Sequence, residues 1–313
     1  MDKQVEVAAG ARANEFDHDG VHGIASDIAY KRLFMVNVCF VGQPKQEEWV
    51  LIDAGIPGTA PLIAEAAEHL FGTNTPPVAI VLTHGHFDHV GALHTLAEQW
   101  NVPIYAHSIE LPYLSGQASY PPPDPTVGGG MLAATAGLYP RGPIDVSKWL
   151  HALPEDGAVP GMPGWKWIHT PGHTEGHVSF WRESDRTIIA GDAFITTKQE
   201  SAYAVATQRP ELHGPPMYFT PDWISAAASV RKLAALQPEL VITGHGRALH
   251  GPQMREALQT LARDFEKVAV PAHGKYVDAP VTDSSPANAQ SKTATSARNA
   301  SSEAEQSRAS GER

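Results

Sequence analysis

The chain has 313 residues, of which 42% are hydrophobic, and its formal net charge is -11 at pH 7. This composition predicts a globular protein with a substantial buried core. The acidic balance argues against nucleic acid as a partner, because a surface that binds nucleic acid has to neutralise phosphate groups.

The N-terminal residues lack the continuous apolar core of a secretory signal, and no later stretch approaches the roughly 18 apolar residues of a membrane span. We therefore expect a cytoplasmic protein with no membrane partner. The single cysteine, Cys39, lies in an apolar run, which predicts a buried side chain rather than a reactive thiol.

Short β-type runs and helical patterns alternate along the chain. The predicted strands span residues 33–41, 48–54, 78–83, 165–169, 178–182, 187–190 and 240–243. The predicted helices span residues 60–70, 90–100, 223–236 and 252–268. Two halves of strands with helices outside them predict an α/β (α+β) fold, a four-layer αβ/βα sandwich of two mixed β-sheets flanked by helices.

We expect one folded domain over residues 14–277, because no linker rich in Gly, Ser or Pro separates two cores. Residues 1–13 are predicted to be a flexible N-terminus. Residues 278–313 contain almost no large apolar side chain, which predicts a disordered tail.

Two stretches interrupt the pattern of strands and helices, at about residues 111–146 and 197–221. Both are dense in Pro, Gly and aromatic residues. Long irregular insertions of this kind are typical of lids or binding loops, and a plain surface excursion is the alternative.

The segment VAIVLTHGHFDHVGAL brings four polar side chains together, directly after an apolar strand and directly before a helix. These side chains are His84, His86, Asp88 and His89. Alternate residues at a strand end project the same way, and the turn into the helix returns the other two toward them. Imidazole and carboxylate suit zinc and related divalent metals, so the segment predicts a metal site.

The pattern HGHFDH resembles the HxHxDH signature of the metallo-β-lactamase-fold hydrolase superfamily. Further matching segments follow in the expected order: WVLIDAGI with Asp53, HTPGHTEGHVSFW with His173, IIAGDAF with Asp192, and LVITGHG with His245. Asp53 ends a predicted strand. His173, Asp192 and His245 each follow one, at a place where glycine lets the backbone turn sharply.

The resemblance implies a pair of metal ions. His84, His86 and His173 would hold one ion, and Asp88, His89 and His245 the other. Asp192 would bridge the two. Zinc is favoured, and iron or manganese could occupy the same ligands.

Asp53 and His177 are given supporting roles. We expect Asp53 to orient a ligand histidine through its ring N–H, with a strand-end cap as the alternative. His177 opens a strand whose alternation continues, which favours a structural histidine. The remaining histidines match no ligand position; they include His94, His107, His151, His213 and His250.

The resemblance implies a hydrolase in which a hydroxide bridged between two metal ions attacks an ester, lactone or thioester bond of a small-molecule substrate. Asp88 would orient the hydroxide or carry a proton to the leaving group. Lactonases with this motif often place a tyrosine near the bridging aspartate, and Tyr203 and Tyr218 are equal candidates for that position. Packing aromatics are the alternative for both.

Other functions on the same fold remain as alternatives. They are an iron-dependent oxidoreductase of the persulfide dioxygenase type, a phosphoesterase or RNA-processing hydrolase, and a binding protein on an inactive fold. The complete ligand set weighs against an inactive fold, and the acidic chain weighs against RNA. The sequence leaves the substrate and the oligomeric state open.

Overall fold

The computed structural model describes residues 4–7, 9–11, 13, 16–18, 20–207 and 211–279. Of the predicted tail, residues 280–313 lie outside this part of the chain. At the other end, residues 5–6 form a strand and Ala11 is fully buried, so the packed part of the chain begins before the expected boundary at residue 14.

The strands of the described residues are short. They are β1 (Val5–Glu6), β2 (Phe16–His18), β3 (Val21–Ala25), β4 (Ile28–Leu33), β5 (Val36–Gly42), β6 (Trp49–Ile52), β7 (Ala79–Val81), β8 (Ile104–Ala106), β9 (Leu150–Ala152), β10 (Trp165–His169), β11 (Val178–Arg182), β12 (Thr187–Ile189), β13 (Glu211–Leu212), β14 (Leu240–Ile242) and β15 (Leu249–His250).

The α-helices range from a single turn to 13 residues. They are α1 (Ala60–Phe71), α2 (Phe87–Val90), α3 (Leu93–Trp100), α4 (Leu111–Leu114), α5 (Met131–Ala134), α6 (Ala202–Thr207), α7 (Trp223–Ala235), α8 (Gly251–Arg263), α9 (Phe265–Val268) and α10 (Lys275–Asp278). Within the described ranges, no helix combines the length and the apolar character that a membrane crossing requires.

Two mixed sheets dominate the molecule. The larger sheet has the order β2-β3-β4-β5-β6-β7-β8-β9, antiparallel from β2 to β6 and parallel from β6 to β9. The smaller sheet has the order β10-β11-β12-β14-β15, in which β12 and β14 are parallel. Strands β1 and β13 form a separate antiparallel pair.

Three apolar clusters separate four layers of structure. One cluster joins the larger sheet to α1 and α3, and a second joins the smaller sheet to α7 and α8. The third contains side chains of both sheets, such as Ile52 and Val81 from one and Phe180 and Ile242 from the other. The predicted four-layer sandwich of two mixed sheets flanked by helices is therefore confirmed.

The central strands are buried on both faces, and their side chains alternate between clusters. In β6, Trp49 and Leu51 pack toward the helices, whereas Val50 and Ile52 pack between the sheets. Successive residues of a strand point to opposite faces, so a strand that lies between two cores has to be apolar throughout. This is why these strands read as continuous apolar runs.

The structure divides three elements that the sequence predicted as continuous. The predicted helix at 252–268 is interrupted at Asp264, between α8 and α9. The predicted strand at 33–41 contains a hairpin turn at Phe34 and Met35, between β4 and β5. The predicted helix at 90–100 is interrupted at Gly91, whose N–H donates to the carbonyl of Gly55. A Cβ on Gly91 would lie 2.2 Å from the backbone nitrogen of Pro57, so the loop after β6 lies directly against this break.

Asn37, on β5 of the larger sheet, joins the two sheets. Its amide nitrogen Nδ2 donates to the carbonyls of Thr243 (2.9 Å) and Gly246 (2.7 Å), which lie beyond β14 of the smaller sheet. The side chain is 2% exposed. Because buried carbonyl groups need donors, this residue fixes the loop between Thr243 and Gly246 against the larger sheet.

Replacing Asn37 with alanine would leave both buried carbonyls without these donors. We expect the free energy of unfolding to fall by about 2–3 kcal/mol, since a buried group left unsatisfied costs about 1–3 kcal/mol. Urea unfolding followed by circular dichroism measures this change. A decrease below about 0.5 kcal/mol, the range typical of exposed substitutions, would contradict the role given to Asn37.

Candidate metal centre

The candidate ligands lie in turns that follow strands of both sheets. His84 and His86 follow β7 and lead into α2, which carries Asp88 and His89. His173 follows β10. Asp192 follows β12 and His245 follows β14, and these two strands are parallel. Parallel neighbours end at the same edge of a sheet, so strand order alone brings several of these turns together.

All seven predicted ligands meet in one place, and each is at most 7% exposed. Their ligand atoms form three groups in which every atom lies within 4.8 Å of the others. The groups are His84, His86 and His173; His84, His89 and Asp192; and Asp88, His89 and His245. We call the full set the seven-residue cluster. The set of His84, His86 and His173 is called the first group, and the set of Asp88, His89 and His245 is called the second group.

Asp192 lies between the first and second groups. Its Oδ2 is 3.4 Å from Nε2 of His173, 3.0 Å from Nε2 of His245 and 3.5 Å from Nε2 of His89. The backbone also passes close to this carboxylate at Gly244, where a Cβ would lie 2.0 Å from Asp192 Oδ1. Only glycine leaves room for the carboxylate there.

Several polar atoms of the cluster lack hydrogen-bond partners among the described residues. These atoms are Nε2 of His84, Nε2 of His89 and Oδ1 of Asp192. A buried polar atom without a partner is costly, and buried charges in proteins are paired or coordinate a metal. The inward-facing nitrogens and oxygens therefore fit divalent cations, and two ions would use all seven side chains.

Nearby carboxylates separate the buried histidines into two electrostatic classes. In the first group, burial lowers the pKa of His84 and His173 well below the ordinary value, and that of His86 to about 3. These rings are neutral at physiological pH, as metal ligands have to be. Burial also opposes the charged form of His89 and His245, but the carboxylate of Asp192 outweighs it and raises both pKa values.

Asp53 supports one ligand histidine. Its Oδ2 accepts a hydrogen bond from Nδ1 of His89 at 2.8 Å, and its two oxygens also accept from the backbone N–H and the hydroxyl of Thr83. The backbone of Asp53 has a φ of 61°. The contact with His89 agrees with the expected orienting role, because a carboxylate on one ring nitrogen leaves the other nitrogen free for a metal.

Met35 and His177 hold two further members of the cluster. Nδ1 of His245 donates to the carbonyl of Met35 at 2.6 Å, in the hairpin turn of the larger sheet. His177, predicted to be structural, accepts the backbone N–H of Asp192 at Nε2 (2.9 Å), and its Nδ1 contacts the hydroxyl of Thr170 (2.8 Å). His177 thus holds the backbone of Asp192 and lies outside the three ligand groups.

The two candidate tyrosines lie in different environments. Tyr203 is 73% exposed on α6, whereas Tyr218 is 3% exposed. Tyr203 therefore faces solvent from α6. Burial, followed by the nearby charge of Asp88, raises the pKa of Tyr218 well above its usual value, so its hydroxyl keeps its proton. Cys39 is buried, as predicted.

A cavity of about 330 Å³ opens beside the cluster, with His86 and His173 in its wall. Both irregular insertions contribute to it, Tyr120 and Pro121 from the first and Phe219 from the second. Sequence patterns did not reveal Glu110, a fully buried carboxylate next to this cavity, or Tyr120. Neither residue belongs to a motif, and their partners are distant in the chain.

The raised pKa values of His89 and His245 predict a pH dependence of metal binding. The nearby carboxylate of Asp192 favours the protonated form of both rings in the metal-free protein, and a cation has to displace these protons. Metal affinity should therefore rise with pH, by up to about tenfold per pH unit for each proton displaced.

Calorimetric zinc titrations at several pH values, each in two buffers of different ionisation enthalpy, measure both the affinity and the protons released. An affinity that is constant with pH would contradict the protonation assigned to His89 and His245.

Comparison with known proteins agrees with this geometry. Residues 32–245 match the family described as the Metallo-beta-lactamase superfamily. The chain is 47% identical over 250 residues to the Probable metallo-hydrolase YflN of Bacillus subtilis (strain 168), covering 80% of this chain and 92% of that protein. It is 32% identical over 235 residues to the Uncharacterized protein YobT of the same strain, covering 74% and 92%.

Solved structures share the fold. The chain aligns with the BLEG-1 B3 metallo-beta-lactamase with a TM-score of 0.51 at 23% identity, covering 72% of this chain and 95% of that one. A B3 metallo-beta-lactamase with an active-site glutamic acid aligns with a TM-score of 0.54 at 19% identity, covering 84% and 94%. The family match spans the seven-residue cluster and the strands from β5 to β14, and the chain therefore belongs to the metallo-β-lactamase superfamily.

Proposed function

We propose that this protein is a hydrolase that holds two divalent metal ions, preferably zinc, in the seven-residue cluster and cleaves an ester, lactone or thioester bond of a small molecule. The observation that carries the proposal is the position of Asp192. A single carboxylate oxygen lies 3.0–3.5 Å from ring nitrogens on both sides, so it is placed to bridge two cations. The first and second groups supply the remaining ligands.

Divalent ions held in this way lower the pKa of coordinated water to near neutrality and supply the nucleophile. Asp88 lies at the edge of the second group, with its Oδ2 3.4 Å from Nε2 of His245. Burial raises the pKa of Asp88 above its ordinary value. A carboxyl group with a raised pKa is suited to accept a proton and to deliver it to the leaving group.

Tyr218 is the favoured partner for the substrate carbonyl. Its protonated hydroxyl can donate a hydrogen bond, and the charge of Asp88 reaches it. A neutral donor of this kind would stabilise the negative charge that develops on the carbonyl oxygen. Tyr203, at 73% exposure, offers no comparable position.

Asp192→Asn should abolish most of the hydrolytic activity, by on the order of 100-fold or more. Loss of a hydrogen-bond partner of a metal ligand alone costs about 10–100-fold, and Asp192 is placed as a ligand itself. The variant should also retain fewer metal equivalents in elemental analysis.

The matched control is Asp156→Asn, which changes an exposed carboxylate that accepts only a local turn hydrogen bond. It should keep full activity and metal content. Full activity in Asp192→Asn would disprove the two-metal proposal.

The cavity beside the cluster indicates the type of substrate. Its wall contains four aromatic rings and several prolines, and its only carboxylates are Glu175 and Asp222. No Lys or Arg of the described chain lines it. Away from the proposed metal ions, an anionic group would have to lose its hydration in this cavity without gaining a cationic side chain as a partner, which is unfavourable. We therefore infer an uncharged, largely apolar substrate.

Esters of hexanoic acid and monoesters of adipic acid test this inference, because they differ by one terminal carboxylate at equal chain length. The value of kcat/KM should favour the uncharged acyl group by at least about tenfold. Ile109→Lys places a cation in the cavity wall and should narrow this preference. Leu138→Lys, at a side chain that is 85% exposed, is the control. Equal rates for both ester classes would refute the preference.

One panel separates the proposed hydrolase from other uses of the scaffold. Purified protein is analysed for its metals, assayed against esters, lactones, thioesters and phosphoesters, and tested for oxygen uptake with glutathione persulfide. Hydrolysis of a carboxylic ester, lactone or thioester supports the proposal. Oxygen uptake without hydrolysis, or turnover of phosphoesters alone, overturns it.

A further inference from the structure

Glu110 is a buried carboxylate that binds two separate loops. It ends the short 3-10 helix Ser108–Glu110 and is 0% exposed. Its Oε2 accepts hydrogen bonds from the N–H of Gly85 (3.1 Å) and from the hydroxyl of Tyr120. Its Oε1 accepts from the hydroxyl of Thr174 (2.6 Å) and from the N–H of Gly176 (3.1 Å).

The two loops held by this carboxylate carry the first group. Gly85 lies between His84 and His86, and Thr174 directly follows His173. Each oxygen of Glu110 contacts one of the loops, so the carboxylate determines how far apart they lie. Across this gap, Nδ1 of His86 faces Nε2 of His173 at 2.9 Å.

Close packing makes this connection rigid. A Cβ on Gly85 would lie 2.5 Å from the hydroxyl of Tyr120, and a Cβ on Gly176 would lie 2.8 Å from the side chain of Glu110. Tyr120 adds a second connection, because its hydroxyl also accepts the N–H of Gly85 at 3.0 Å. Its ring packs against that of His86, with centroids 4.6 Å apart.

The second group has different supports. His89 is held by Asp53, and His245 is held by the carbonyl of Met35. The four hydrogen bonds to Glu110 come from Tyr120 and from the two loops of the first group. A change at Glu110 should therefore affect the two metal sites unequally.

We propose that Glu110 is a positioning residue that holds the loops of His84, His86 and His173 at the separation that one of the two metal ions requires. Metal–ligand distances tolerate deviations of only about 0.2 Å, so a small displacement of either loop weakens binding. This inference rests on the proposed metal pair and does not depend on which bond the enzyme cleaves.

The test uses Glu110→Gln, which keeps the size of the side chain but replaces one acceptor oxygen with an NH2 donor. That donor faces existing donors, so one loop should move away. The full chain is stripped of metal, and Co²⁺ is titrated in while calorimetry and the visible spectrum of the bound ion are recorded.

We expect one Co²⁺ equivalent to bind at least about tenfold more weakly in Glu110→Gln, with a changed spectrum, and the other to bind within about threefold of wild type. Thr174→Val removes one donor and should weaken the same equivalent to a smaller extent. Glu110→Asp keeps a carboxyl group, whose shorter side chain can still reach one loop, and should recover part of the affinity lost in Glu110→Gln.

The matched control is Asp124→Asn. Asp124 is 4% exposed and accepts hydrogen bonds from Thr126 and Lys275, so it also joins distant segments, but these segments do not carry the first group. This variant should lose stability and keep both Co²⁺ affinities.

Unchanged Co²⁺ binding in Glu110→Gln, or equal weakening of both equivalents, overturns the proposal. If Glu110→Gln does not fold, the same criteria apply to Thr174→Val. A wild-type chain that binds fewer than two equivalents overturns both this proposal and the metal pair. A wild-type chain that binds two ions but hydrolyses no substrate overturns the catalytic proposal alone.

Discussion

The rest of the site depends on the burial of five imidazoles and two carboxylates where the turns of two sheets meet. Groups of this kind are stable away from water only when they are paired, hydrogen-bonded or bound to a cation. The outer atoms of several rings have fixed partners, Asp53 for His89 and the carbonyl of Met35 for His245. The inner atoms of His84, His89 and Asp192 lack them among the described residues. The atoms without hydrogen-bond partners therefore face the centre of the cluster, where a cation would bind them.

The fold explains how residues spread from position 84 to position 245 come together. Each half of the molecule contributes a pair of parallel strands, β6 with β7 and β12 with β14. The turns after these strands carry Asp53, the HGHFDH segment, Asp192 and His245. The core between the sheets holds these strand ends at a fixed distance, and Asn37 joins one sheet to the loop of His245. A metal pair would then be bound by both halves at once.

Sequence patterns predicted the elements whose signal is local. Strands β10 and β11 have the predicted bounds, and the strands that carry metal-site turns were placed to within a few residues. Apolar runs carry this information because these strands are buried on both faces. The hairpin turn at Phe34 and Met35 was missed because both residues are apolar and Phe34 adopts a φ of 61° without the usual Gly or Asn. Glu110 was missed for a different reason. Its partners, Gly85 and Thr174, are 25 and 64 residues away, and spacing in the sequence does not reveal such contacts.

The hairpin turn between β4 and β5 constrains how this part of the chain can vary. Phe34 is 74% exposed, so the residues that tolerate a positive φ, such as Gly, Asn or Asp, would fit at its tip. The carbonyl of Met35, in contrast, has to stay 2.6 Å from the ring of His245. An inserted or deleted residue would shift that oxygen by the length of a peptide unit, about 3.8 Å, and release the ring. A surface loop that looks free to change in length is therefore free to change only in side-chain identity.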